Sequence, residues 1–397
     1  MARNPTGLAL SCQSLMIYAD FNATTPVCIA ANDAMQEVLE NWGNPSSSHA
    51  LGRKSLELLE KYRDSVATRV GRPSQEVVFT SGGSEANHLA IVGACLSRQS
   101  KPFTILTTPV EHSSQMGAVR VAQMLGAKVI YLKMESHGGL DLGDFELKLK
   151  EFRPTLVSIM SANNETGVIF PVQAIAEICS QAQTLFHTDA VQAFGKAAHS
   201  EWNGADLISI SSHKIYGPKG SGALIVRKGI ELQAFPAGGS QELKRRGGTQ
   251  NMLGIAGFAG ACGDWPDEVE WAKMSGLRDL FESMVLSQLD GINILGKDQD
   301  RVPNTSSLCV DGIDASAALS ALDLDGICLS AGSACSSGSL TPSHVLTAMG
   351  LSMEEARTCV RISWGRSTTA TEVETAADRL VFHVKRIRSR RSRTEIS

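Results

Sequence analysis

Between residues 77 and 227, short apolar runs alternate with longer segments whose apolar residues recur at helical spacing. VVFT (77–80), FTILTT (103–108), KVIYL (128–132), LVSIM (156–160), LFHTD (185–189), LISIS (207–211) and GALIVR (222–227) have strand length and strand-like content. Between several of them lie EANHLAIVGACL, QMGAVRVAQMLG and VQAIAEICSQAQ. Leu89, Val92 and Leu96 in the first, and Ile175, Ile178 and Ala182 in the third, fall on one helical face. Such alternation predicts an α/β protein with a parallel or mostly parallel sheet covered by helices on both faces. The texture changes near Gly247–Asn251, where an Ala/Gly-rich helical segment (MLGIAGFAGAC) precedes a charged one (DEVEWAKMSGLRDLFESMVLSQL). Strands at SSLCV (306–310) and RISW (361–364) and a closing helix, EVETAADRLVFHVKRI, predict a second, smaller α+β region. No internal repeat is visible.

Composition adds exclusions. The chain has 397 residues, 43% hydrophobic and 20% charged, which suits a globular protein of more than one domain. No apolar run reaches the ~18–20 residues of a membrane helix. Aromatic residues are only 5%, and 37 basic residues nearly balance 41 acidic ones, so direct nucleic-acid binding is not expected. The exception is local: residues 385–397 carry Lys385, Arg386, Arg388, Arg390, Arg391 and Arg393 against Glu395. That run reads as a solvated, frayed extension, with contact to an acidic partner as the alternative. The first 14 residues read as a second extension without a secretory signal. Nine cysteines, none in a Cys-x-x-Cys pair, argue against zinc ribbons. Cys95 and Cys309 lie in apolar contexts and read as small buried hydrophobes, which fits a reducing, cytoplasmic compartment.

Four local features carry chemistry. The run VVFT leads into Ser81-Gly82-Gly83-Ser84 and a helix expected to start at Glu85 or Ala86, with Ser84 as N-cap or hydroxyl donor. A glycine turn at a helix N-terminus suits a phosphate, although many plain turns look the same. His187-Thr188-Asp189, followed by Gln192, ends a strand where parallel sheets bind ligands; a metal reading lacks a third ligand. Ser211-Ser212-His213-Lys214 ends another strand before a Gly/Pro-rich turn. A lysine there is either an ordinary surface residue or a Schiff-base former, and an acid partner such as Asp189 favours the second. Finally, Cys335 sits in SAGSACSSGS, a small-residue context unlike that of the other thiols, where an exposed nucleophile or an ordinary loop cysteine would fit.

Taken together, these residues resemble the cysteine desulfurases of the NifS/IscS type, pyridoxal-phosphate enzymes of aminotransferase class V. The matching motifs run from Tyr18-Ala19-Asp20-Phe21-Asn22-Ala23-Thr24-Thr25-Pro26 through Gly43-Asn44-Pro45-Ser46, Thr80–Glu85, Glu111-His112 and Asn163-Asn164-Glu165-Thr166-Gly167. They continue with His187–Gln192, Ser211–Gly220, Arg246-Gly247-Gly248-Thr249, Ser333-Ala334-Cys335 and Arg361–Arg366. The resemblance implies the fold type I architecture of aspartate aminotransferase. A large pyridoxal 5'-phosphate domain with a mostly parallel seven-stranded sheet would span 28–273. A smaller domain would comprise 15–27 and 274–384, with 1–14 and 385–397 as extensions.

The resemblance also implies roles. Lys214 would form the Schiff base and move the Cα proton, Asp189 would bond the pyridine nitrogen, and His112 would stack on the ring. Gly83, Ser84, Ser211 and His213 would form the phosphate cup, with Thr249 contributed by the second subunit of a homodimer. Gln192 and Asn164 would contact the ring oxygen and the substrate side, Asn164 being favoured over Asn163. Arg361 would take the substrate carboxylate, assisted by Asn22. Cys335 would attack the sulfur of L-cysteine, leaving alanine and an enzyme persulfide for a protein acceptor. A different class V reaction, or a non-enzymatic sulfur-responsive protein, are the other readings. Cys335 argues against plain transamination, and Lys214 with Asp189 against the non-enzymatic reading.

Overall fold

The computed structural model describes residues 16–98, 101–198, 202–331 and 343–394, the side chains only as far as 390. The seven runs between 77 and 227 form one sheet. Its order is Val77–Thr80, Gly222–Val226, Leu207–Ser211, Leu185–Asp189, Leu156–Ser158, Thr104–Thr107 and Lys128–Tyr131. Gly222–Val226 runs antiparallel to both its neighbours, and the other adjacent pairs are parallel. The central strands Leu207–Ser211 and Gly222–Val226 are buried at every position, as unbroken apolar runs covered on two faces require. Six strands therefore end on one edge, which brings Thr80, Thr107, Ser158, Asp189 and Ser211 together at the loops where open α/β sheets hold ligands.

The C-terminal region builds a second, antiparallel sheet in the order Ser330–Ala331, Cys359–Ser363, Thr305–Val310, Ile292–Ile294. Ile17–Tyr18 pairs in parallel with Ile327–Cys328, so the start of the described chain joins this region. Helix Glu268–Gln288, opened by a capping box between Asp267 and Glu270, packs with helix Ala370–Thr394 beside that sheet. Phe281, Leu308, Ile362, Trp364, Leu380 and Val384 share its apolar core.

Three expectations need correction. Helix Gly83–Leu96 begins two or three residues earlier than expected, because Gly82 accepts the φ of 151° at the N-cap; Ser84 lies in the first turn, not at the cap. Cys309 is not a lone thiol. It faces Cys359 in register across two antiparallel strands, and the two are bonded as a disulfide. Their separation of 50 residues conceals that pairing in the sequence, since register depends on tertiary contacts. Finally, the basic run from Lys385 continues the closing helix to Thr394. Arg388 is anchored there, donating to the carbonyls of Asp311 and Asp290 at 2.8 and 2.9 Å.

Candidate active site

Lys214 leaves strand Leu207–Ser211 on a single 3-10 turn, Ser212–Lys214. Its Nζ donates to Asn22 O and, at 2.8 Å, to Ala23 O. Asp189 ends the neighbouring strand and is buried. Its Oδ2 accepts from Asn87 Nδ2 at 2.7 Å and its Oδ1 from the Val191 amide at 3.0 Å, which fixes the carboxylate plane.

His112 caps helix Ser113–Met124: its Nδ1 accepts from the Ser114 amide at 3.2 Å and lies 2.7 Å from Ser114 Oγ. Because an amide can only donate, Nδ1 is the acceptor and the neutral ring carries its proton on Nε2. Asn87 Nδ2 also donates to Ser114 Oγ, at 3.0 Å. One buried amide thus couples the orientations of His112 and Asp189.

The glycine turn forms a cradle. A Cβ on Gly83 would meet Val191 Cγ2 at 2.8 Å, and one on Gly82 would lie 3.9 Å from Ser211 Oγ. Ser211 Oγ is buried and has no hydrogen-bond partner among the described residues, beside a helix N-terminus whose first amides lack helical acceptors. An unspent buried hydroxyl costs about 1–3 kcal/mol unless a ligand uses it. These groups, with Lys214 and Asp189, fit the phosphate, aldehyde and ring nitrogen of pyridoxal 5'-phosphate. Ser84 is exposed in the same turn. His213 lies within hydrogen-bond distance of Thr24 Oγ1, at 3.2 Å, and burial with nearby Lys214 pushes its pKa down to about 4, so the ring is neutral.

Arg361 stands on strand Cys359–Ser363, almost wholly buried. Nη1 donates to Asn164 O at 3.0 Å; Nη2 donates to Asp20 Oδ1 and Ser330 Oγ, each at 2.7 Å. The Asn163 side chain is consumed by the turn, its Oδ1 accepting from the Glu165 and Thr166 amides and its Nδ2 donating to Val110 O. Among the described residues no such commitment is found for the side chain of the half-buried Asn164. Asn22, expected at the substrate, is a buried hub: Nδ2 donates to Thr305 Oγ1 and Asn164 O, and Oδ1 accepts from Lys196 and Asn304. Thr249 is exposed, in a loop tied to the glycine turn by Arg246 and Glu85 at 2.7 Å. Cys335 lies outside the described residues.

The metal reading of His187 fails on geometry. Both its ring nitrogens lie against serines of adjacent strands, Ser158 and Ser209, and burial lowers its pKa to about 3. No cluster of metal-binding side chains occurs among the described residues.

The aminotransferase class-V family pattern matches residues 17–375. The chain belongs to the aminotransferase class-V family. A protein of Dictyoglomus turgidum named cysteine desulfurase IscS is 37% identical over 379 residues, covering 94% of this chain and 95% of its own. A solved structure described as a NifS-like protein superposes with a TM-score of 0.86 at 34% identity, over 93% of this chain and 99% of its own. Another, described as SspA in complex with cysteine, gives 0.78 at 31% identity, over 89% and 100%. Class-V enzymes of this kind use pyridoxal 5'-phosphate, the group that the unspent Ser211 hydroxyl and the glycine cradle accommodate.

Three residues that bond to the candidate site were not singled out from the sequence: Asn87, Lys196 and Asp20. Asn87 lies one turn into the helix after the glycine turn, and Lys196 interrupts the apolar stretch AFGKAA four residues after Gln192. For Lys196, a charged residue inside an apolar run was the available signal.

Proposed function

We propose that this protein is a cysteine desulfurase, removing sulfur from L-cysteine to give L-alanine and a persulfide on Cys335 that passes to a protein acceptor. The observation that carries the reading is the convergence of Lys214, Asp189 and the unspent Ser211 hydroxyl on one sheet edge, in a chain whose relatives bear that name. Bound pyridoxal 5'-phosphate supplies the electron sink that makes the Cα proton acidic. Asp189 would hold its ring nitrogen, and His112, Gln192 and Asn164 its ring face and substrate side. Gly83, Ser84, Ser211 and His213 would hold the phosphate.

The other roles belong to the protein. Lys214 moves the Cα proton. Arg361 takes the substrate carboxylate through N–H groups left beyond Asn164, Asp20 and Ser330, and Asn22 keeps that arginine and Lys214 in register through two carbonyls. The Cys335 thiolate attacks the substrate sulfur; a sulfur–sulfur bond forms, the carbon–sulfur bond breaks with its electron pair going to carbon, and protonation there yields alanine.

A homodimer in which Thr249 completes the neighbour's phosphate site follows from the same reading, as do an acceptor in iron–sulfur assembly or a thiolation pathway and a cytoplasmic location. Free thiols at Cys28, Cys95, Cys179, Cys262 and Cys328, against one bridge among the described residues, support that compartment. Among those residues no helix is long and apolar enough to cross a membrane.

The test is alanine release from L-cysteine without reductant. One alanine per chain is expected before turnover stalls at the persulfide, with further turnover once a thiol is added. Lys214→Ala should abolish both phases; wild-type protein that releases no alanine would overturn the reading.

A further inference from the structure

Lys196 is buried, yet no ion pair to it is found among the described residues. Its Nζ donates to Gln192 Oε1 at 2.6 Å and to Asn22 Oδ1 at 3.1 Å. The titratable groups that face it are Lys214 and His213, from the turn after strand Leu207–Ser211, and Arg361, from strand Cys359–Ser363; Lys214 and Arg361 are cations and His213 is neutral. We propose that Lys196 is a positioning residue whose amine fixes the amide orientations of Gln192 and Asn22, and through them the surroundings of Lys214 and Arg361.

Donor arithmetic supports this. A neutral amine has two hydrogens, and among the described residues two amide oxygens accept from Nζ; against those acceptors an ammonium would leave a third proton unmatched between two cations. Burial first, then Lys214 and Arg361, hold the Lys196 pKa well below its ordinary value. With Oε1 of Gln192 committed to Lys196, its Nε2 is turned the other way and donates at 3.0 Å to Asn22 O, the carbonyl that also accepts from Lys214. With Oδ1 of Asn22 held by Lys196 and Asn304, its Nδ2 is directed to Asn164 O, the carbonyl that also accepts from Arg361. Neither amide could flip without setting like groups against each other. Lys196 is therefore the brace between the lysine and arginine ends of the site.

The inference rests on the cofactor site proposed above, so its test has one arm that does not need the cofactor. In the apoprotein, a neutral buried lysine takes up a proton on unfolding at any pH between its folded value and about 10. From pH 7 to 9, wild-type protein should therefore gain stability over Lys196→Met by up to about tenfold in the unfolding constant per pH unit. Should Lys196→Met not fold, the same slope is read against Lys196→Gln. In the holoprotein, Lys196→Met should shift the pH midpoint of the cofactor's visible band by about half a unit or more, the equivalent of one neutral hydrogen bond. Lys196→Gln, which keeps an NH2 donor, should restore the midpoint toward wild type. Gln192→Met should shift it too, and the double variant no further than Gln192→Met alone. A pH-independent stability difference, an unmoved midpoint in Lys196→Met, or additive shifts would overturn the proposal. Wild-type protein with no visible band would overturn the cofactor reading instead, and the apoprotein slope would then decide the role of Lys196 by itself.

Discussion

Replacing Arg361 with lysine separates carboxylate recognition from the rest of the site. The guanidinium divides its work between nitrogens: Nη1 serves Asn164 O, Nη2 serves Asp20 and Ser330, and the buried Nε has no partner among the described residues. A single ammonium cannot reach acceptors placed on separate branches of that fork. It can keep the ion pair with Asp20, so the fold should survive, but it forfeits the donors left for an incoming carboxylate. Losing one charge-assisted hydrogen bond costs about 2 kcal/mol, which is roughly a thirtyfold weakening. The expected result is a thirtyfold rise in KM for L-cysteine with kcat changed far less, because the contact is made in ground and transition states alike. Cysteamine, which lacks the carboxylate, provides the control, with sulfide release as the common assay. The wild-type preference for cysteine over cysteamine should collapse by the same factor in Arg361→Lys. Equal losses on both substrates, or an unchanged KM for cysteine, would refute the assignment.

Two other perturbations probe the supporting network. Asn87→Leu removes the donor to Asp189 and Ser114 and should weaken cofactor retention about tenfold in equilibrium dialysis with the fold intact; unchanged retention would count against Asn87 as the orienting group. Glu111 is fully buried, and its pKa is pushed up to about 8 mainly by burial, against hydrogen bonds from Thr108 and the Met160 amide. The folded protein then keeps a proton that the unfolded chain has lost from about pH 4.5 upward, so this group's contribution to stability falls as pH rises toward 8. Glu111→Gln should remove that slope, at most about 1.4 kcal/mol per pH unit; parallel stability profiles for the two proteins would show the carboxyl to be ionised.

The inner strands of the large sheet were legible because a strand buried on both faces must be apolar throughout, and such runs survive without tertiary information. The edge strand Lys128–Tyr131, exposed at both ends, was legible from its β-branched and aromatic content. Lys214 and Asp189 were legible for a related reason: each is a charged residue closing an apolar run, which places it on the ligand-binding edge. What stayed hidden depends on contacts distant in the chain. Asn87 meets Asp189 across 102 residues and Lys196 meets Asn22 across 174, so neither spacing signals a partner. Cys309 looked like any thiol in an apolar run, and only strand register sets it against Cys359. The basic run at the end looked frayed because like charges repel. Its helix persists through Arg388, whose guanidinium binds two carbonyls of the loops around the small sheet.

The central claim concerns one thiol among nine, and it is tested most directly by locating the sulfur. Holoprotein treated with one equivalent of L-cysteine, alkylated and digested with chymotrypsin to cut after Leu329, should carry an added sulfur atom on the peptide containing Cys335 and none on that containing Cys328. Burial and the nearby Asp323 and Asp20 carboxylates raise the pKa of the Cys328 thiol and leave it a poor nucleophile. Cys335→Ser, with its cofactor spectrum retained, should show no added sulfur anywhere. Added sulfur on Cys328, or alanine formed at the wild-type rate by Cys335→Ser, would contradict the account.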